Sequence, residues 1–215
     1  MKDILLPKGF VKLPDIYSII AIDNKYRIGR GNELPWKLSS DLKRFKELTM
    51  NGVCIVGRTT METLGNKPLP NRMFVVVTSK PELYEGIENV KTASSVKEAI
   101  KVSYNNWPEK DIHICGGVEI YKEGFYYSNY IICTDVECDD PIEKDDVIFN
   151  DFINVIRSMS SKVKNINIEV ADKDDKNEFK SYVSLIVNGL IKHPFEYDKK
   201  DGKSKVIYKG SLYYN

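Results

Sequence analysis

A chain of 215 residues, 42% hydrophobic and 11% aromatic, is long enough for one domain with a packed core, which excludes wholesale disorder. Thirty-two Lys and Arg against 31 Asp and Glu leave a formal charge of +1, too small a surplus for gripping a polyanion, so no nucleic-acid partner is expected. The richest apolar stretch, Ile16 to Ile22, falls well short of a membrane span of ~20 residues, and the first residues hold only Ile4-Leu5-Leu6 as an apolar run, so no membrane contact, no signal peptide and a cytoplasmic location are expected.

In chain order, Ile16 to Ile22 is the first of five short β-branched runs. It is followed by Val53 to Val56, Phe74 to Val77, Ile112 to Cys115 and Tyr130 to Val136. Each run is nearly continuous rather than alternating, the pattern of strands covered on both faces. Helix signals fall between them. Asp41 to Leu48 spaces its apolar residues three apart, behind Ser39-Ser40. Thr59-Thr60-Met61-Glu62 and Ser95-Val96-Lys97-Glu98 have the form of capping boxes, the second opening a helix to about Tyr104. Gly116-Gly117 separates a strand from a short helix carrying Ile120 and Tyr121. Strand–helix–strand alternation predicts a single α/β domain with a mostly parallel central sheet and flanking helices.

Past Val136 the character changes. Residues 135–151 hold eight acids and one lysine, a net of −7, and read as a solvated loop rather than a calcium site. Ile166 to Ala171 and Tyr182 to Val187 predict a C-terminal antiparallel hairpin. In residues 189–215, Val206-Ile207-Tyr208 and Leu212-Tyr213-Tyr214 are candidate edge strands. Cys54, Cys115, Cys133 and Cys138 show no C-x-x-C spacing, and His113 and His193 have no motif linking them to the thiols. Buried free thiols are expected, with neither a metal site nor a disulfide.

Chemistry concentrates in three places. The irregular loop Arg27 to Trp36, with two glycines, a proline and a tryptophan expected at the surface, has the make-up of a mobile cover. Behind it, Asp41 and Phe45 are four apart and share a helix face. A carboxylate beside an aromatic suits a flat, protonatable heterocycle, although on spacing alone a helix-start acid favoured by the macrodipole is the simpler reading. Next, Gly57-Arg58-Thr59-Thr60 and Gly116-Gly117 each follow a strand, and a third strand ends in Thr78-Ser79-Lys80. Backbone N–H groups, hydroxyls and cations at three strand ends suggest a dinucleotide bound across one sheet edge. No G-x-G-x-x-G is present, which speaks against an ordinary Rossmann dehydrogenase.

Five separated motifs, taken in order, resemble dihydrofolate reductase. They are Leu34-Pro35-Trp36 with Asp41-Leu42 and Phe45-Lys46; Val56-Gly57-Arg58-Thr59-Thr60-Met61-Glu62; Pro68-Leu69-Pro70-Asn71-Arg72; Gly116-Gly117 with Tyr121; and Thr134. The likeness runs from about Tyr17 to Phe149. It implies NADPH as cofactor and 7,8-dihydrofolate as substrate, with hydride delivered to C6 and a proton to N5. It also implies a monomer or homodimer serving one-carbon metabolism.

By this resemblance Asp41, Trp36 and Thr134 are the catalytic group, with Thr134 supporting Asp41. Ile20, Leu42, Phe45 and Leu69 pack the substrate, and Arg72 pairs its glutamate carboxylate. Ala21, Ile22 and Ile28 flank the nicotinamide. Thr60, Gly116 and Gly117 lie around the pyrophosphate, and Arg58, Thr78 and Ser79 hold the 2′-phosphate end. Gly57, Thr59, Lys80, Val118 and Tyr121 complete the cofactor set. From the residues alone, Arg72 also reads as a surface charge after a Pro-Leu-Pro turn, and Tyr121 also reads as core.

The chain departs from the pattern in places. Ala21 to Gly29 is one residue tighter than in common bacterial members, and Val118 stands where many have a third glycine. Residues 1–14 and 189–215 lie outside the family's usual core, leaving 15–188 as the expected domain. Two alternatives remain open: a pyrimidine reductase of riboflavin synthesis, which would need neither Arg72 nor the Asp41–Phe45 face, and a non-catalytic module of the same fold.

Overall fold

A computed structural model of the chain describes residues 14–36, 38–136 and 138–158, together with the backbone of four later strands. The chain starts with β1 (Ile16–Asp23) and β2 (Arg27–Arg30), then α1 (Ser39–Thr49), β3 (Val53–Gly57), α2 (Arg58–Thr63) and β4 (Met73–Val77). A 3-10 turn at Pro81–Tyr84 leads to β5 (Val90–Ala93), α3 (Val96–Asn106), β6 (Ile112–Ile114), α4 (Val118–Gly124) and β7 (Tyr130–Val136). There follow β8 (Asp146–Ile148), α5 (Phe152–Ser158), β9 (Val163–Ile166), β10 (Phe179–Ile186), β11 (His193–Lys200) and β12 (Lys205–Leu212).

The main sheet runs β5-β4-β3-β6-β1-β7-β10-β9. Its first six strands are parallel neighbours, and β10 and β9 close it antiparallel. The chain starts in the middle, builds outward through β3, β4 and β5, then returns to insert β6 beside β1. That reversal puts the carboxyl ends of β1, β3 and β6 around one crevice, the place where open α/β sheets bind ligands.

The residues explain the layers. Val53, Ile55, Val75, Ile112 and Ile114 are fully buried and pack under α3 and α4, through Val96, Ala99, Ile120 and Phe125. Burying each such side chain is worth ~1.5–3 kcal/mol. The opposite sheet face is split. Cys54, Val56, Phe74 and Val76 meet Met61 and Tyr84, while Ile132 and Val136 meet Trp36 and Leu38 beside α1.

Several local expectations change. The acids of residues 135–151 are not merely solvated, because Asp146 opens β8, which pairs antiparallel with β2. The capping box at Thr59 does not form: α2 starts from Gly57 with no side-chain cap, and Glu62 turns to Arg58 instead. At α3 the cap does form, with Ser95 Oγ accepting from the Glu98 N–H. The C-terminal hairpin is β9 with β10, so residues 167–171 and Val187 of the expected runs lie outside the described residues. Val206-Ile207-Tyr208 is part of β12, which pairs with β11 in a separate two-stranded sheet rather than edging the main one. Tyr213 and Tyr214 lie outside the described residues. No helix among the described residues is long and apolar enough to cross a membrane.

Candidate active site

At the carboxyl edge of the sheet lies a cleft of about 640 Å³. Its floor is Ile19, Ile20 and Ala21 from β1 with Ile132 and Thr134 from β7. One wall is α1, presenting Asp41, Leu42, Phe45 and Leu48 on a single face, as their three- and four-residue spacing requires. Opposite stand Gly57, Arg58, Thr59 and Thr60, then Gly116, Gly117, Val118 and Tyr121. The rim is the segment after β2, through Gly31, Asn32, Glu33 and Leu34, with Ile28 beneath it.

Asp41 is half-buried, and the Thr134 hydroxyl donates to its Oδ1 at 2.8 Å. Burial pushes its carboxyl above the usual value, while the Thr134 bond and the charge of Arg44 pull the other way. The other two carboxylates lining the cleft, Glu33 and Glu119, are exposed. Among the described residues, Asp41 is therefore the one acid of the cleft lining that is withdrawn from solvent. Tyr121 is buried and donates to the Ile19 carbonyl at 2.6 Å, and burial drives its phenol far above the ordinary value. It is both core and cleft wall, fixed to the strand that forms the floor.

On the far side, the Gly57 N–H donates to the Gly116 carbonyl at 2.8 Å and ties two strand ends together. The Gly116–Gly117 peptide is cis, and Gly116 has φ +108°, a backbone region that favours glycine. A Cβ on Gly117 would meet Thr60 Oγ1 at 3.5 Å, so its absence leaves a shallow cradle beside a hydroxyl. Arg58, Thr59, Thr60 and Thr63 supply a cation and three hydroxyls along the same side. An extended, phosphate-bearing group matches these donors.

Some expected residues stand elsewhere. Trp36 is not at the surface: only 5% of it is exposed, it packs on Leu38, Ile132 and Val136, and it does not line the cleft. Arg72 is not a surface charge either. It is 6% exposed, with Nε donating to the Pro70 carbonyl and Nη1 to Thr49 Oγ1, outside the cleft lining. Leu69 packs against the Phe74–Met61 cluster, and Ile22 is core. Thr78, Ser79 and Lys80 lie beyond the cleft lining, although Val77 opposite Gly57 is part of it. Of the four thiols, Cys54, Cys133 and Cys138 are buried, whereas Cys115 reaches the cleft wall.

The structure adds residues that the sequence alone did not single out. Arg44 follows Asp41 by one helical turn and lines the cleft. Beneath the rim lies a charge network. Arg27, fully buried, donates through Nε to Asp23 at 2.6 Å and through Nη1 to Asp146 at 3.3 Å. Arg30 reaches Asp146 at 2.7 Å and Glu143 at 2.8 Å. The Arg30 hydrogen bond is the main reason that Asp146 is held far below the usual carboxylate range. Lys25 Nζ adds bonds to the Cys138 and Asp140 carbonyls. The basic residues of Arg27-Ile28-Gly29-Arg30 were the available signal, matched to the acidic run a hundred residues on.

A doubly wound α/β sheet with a long cleft across its carboxyl edge defines a nucleotide-binding type of enzyme. The dihydrofolate reductase family model matches residues 15–186, and the chain belongs to that family. It is 40% identical over 126 residues to the dihydrofolate reductase of Buchnera aphidicola subsp. Acyrthosiphon pisum, covering 58% of this chain and 74% of that one. It is 32% identical over 164 residues to that of Bacillus subtilis, covering 76% and 89%. Among solved structures, a dihydrofolate reductase from Enterococcus faecalis complexed with NADP(H) and RAB-propyl aligns at TM-score 0.64. The identity there is 26%, over 80% of this chain and 95% of that chain. The fold class and family expected from the motifs are thus borne out.

Proposed function

We propose that the cleft reduces 7,8-dihydrofolate to tetrahydrofolate with NADPH, and that Asp41 carries the proton chemistry. The observation behind this is the Thr134–Asp41 hydrogen bond at 2.8 Å in a largely apolar cleft. Thr134 donates to Oδ1 and leaves Oδ2 for the N–H groups of a 2-amino-4-oxo ring. A carboxyl whose proton is favoured by burial can hold that ring and assist protonation at N5. Leu42, Phe45 and Leu48 exclude water from the ring and its benzoyl neighbour. Bound NADPH supplies the hydride to C6. Ile20, Ala21 and Ile28 bound the nicotinamide end, Thr60, Gly116 and Gly117 bound the pyrophosphate, and Arg58 faces the 2′-phosphate.

Residues 15–188 form the catalytic unit in this account, working in the cytoplasm as a monomer or homodimer. Residues 1–14 and 189–215 are given no role. The assay is loss of reduced-nicotinamide absorbance on adding dihydrofolate. Dihydrofolate-dependent oxidation of NADPH by the parent protein supports the proposal, and its absence rejects it.

A further inference from the structure

Arg58 opens α2 at the cleft, and its Nη1 meets Glu62 Oε1 one turn along the same helix. The two side chains are 42% and 39% exposed, so water screens the pair and it exchanges easily. Tyr84, 3% exposed, belongs to the core cluster that holds Met61 of the same helix, and its hydroxyl has no hydrogen-bond partner among the described residues. Burial raises its phenol, the charge of Glu62 raises it further, and the charge of Arg58 lowers it. A buried donor left unmatched calls for an explanation.

We propose that Glu62 limits the preference for NADPH over NADH by competing with the cofactor's 2′-phosphate for Arg58. When the phosphate takes Arg58, the released carboxylate turns to the Tyr84 hydroxyl, which donates to it. The competition lowers affinity for the phosphorylated cofactor and leaves the unphosphorylated one untouched. It rests on Arg58 meeting the 2′-phosphate, as proposed above, and makes Glu62 and Tyr84 positioning residues that act through Arg58.

The test measures dissociation constants of NADPH and NADH by fluorescence for the parent, Glu62→Gln, Tyr84→Phe, Arg58→Leu and the double variant Arg58→Leu/Glu62→Gln. Thermal melts without cofactor check that each is folded. Glu62→Gln should tighten NADPH by roughly twofold to fivefold, the range of an exposed ion pair, and leave NADH unchanged. Tyr84→Phe should weaken NADPH alone. In the Arg58→Leu background, Glu62→Gln should do nothing. If Arg58→Leu leaves the ratio of the two constants where it was, the assignment of Arg58 to the phosphate is wrong, and the competition falls with it. If Arg58→Leu lowers the preference while Glu62→Gln does not raise it, that assignment stands and the competition is rejected. If Glu62→Gln still tightens NADPH without Arg58, simple repulsion operates and the exchange is likewise rejected.

Discussion

At Asp41 the demands of folding and chemistry oppose each other. Burial raises its carboxyl, so the folded state favours the protonated form. A group raised in this way contributes its full stability below its unfolded value and loses it as pH rises through the folded value. Wherever it is ionised, Asp41 therefore costs stability, and Asp41→Asn should melt at a higher temperature above the folded value while losing ~10²–10⁴-fold in turnover. Equal melting temperatures would show that burial of the charge is not costly; near-full turnover would remove Asp41 from the mechanism. Arg72 differs, because two of its donors are already engaged inside the protein. Arg72→Leu should lower the melting temperature, and a loss for dihydrofolate of ~1.5–3 kcal/mol relative to a pterin lacking the glutamate would show that its remaining donors also reach the glutamate carboxylate. A melting shift with equal losses for both ligands would make it purely structural. The glycines were legible in the sequence because they follow strands, whereas the helix spacing of Asp41 also suited an ordinary helix-start acid and Thr134 came from the family resemblance. The burial of Arg72 and Trp36 was not legible, since their partners come from α1, β7 and the turn at Pro70.

At the scale of elements, the cleft rim owes its place to a strand pairing of opposite charges. β2 carries Arg27 and Arg30, β8 opens with Asp146, and the two strands form their own ribbon. The acids of residues 135–151 read as solvated because their partners are more than a hundred residues upstream, and local patterning carries no information about such pairings. Asp146→Asn would remove the negative charge that faces Arg27 and Arg30 while the Arg27 guanidinium stays fully buried. A buried cation short of partners destabilises whatever holds it. The expected results are a lower melting temperature, faster amide exchange in residues 27–34 and a raised KM for substrate. Unchanged exchange in that segment would show that the rim is held by its backbone pairing alone. The failed capping box at Thr59 has a related cause. Arg58, four residues before Glu62, offers that carboxylate a cation, which a hydroxyl cap cannot match.

At the scale of the whole molecule, short β-branched runs alternating with helices were enough to predict a parallel α/β sheet. They did not order its strands, because insertion of β6 between β3 and β1 depends on where α3 and α4 pack. That insertion places His113 in the middle of the sheet, between Tyr17 on β1 and Cys54 on β3. Its ring stacks on Tyr17 at 5.4 Å, and a Cβ on Gly52 would come within 2.4 Å of it. Nδ1 is buried with no partner among the described residues. Burial pulls the imidazole down to about 4, against the charge of Asp111 and the backbone groups of Val53 and Leu48. A base lowered in the folded state gives its full stability above its unfolded value, near 6.5, and loses it as pH falls towards the folded one. One proton taken up only on unfolding costs about 1.4 kcal/mol per pH unit within that window. Asp146 pushes the same way only below the ordinary carboxylate value of 3.8, so the two are separable. Asp41 has the opposite sign. Urea midpoints taken between pH 6.5 and 4 should therefore fall steeply in the parent and more gently in His113→Gln, which keeps a polar group without titrating. Parallel slopes in the two proteins would mean that the buried imidazole does not govern acid unfolding.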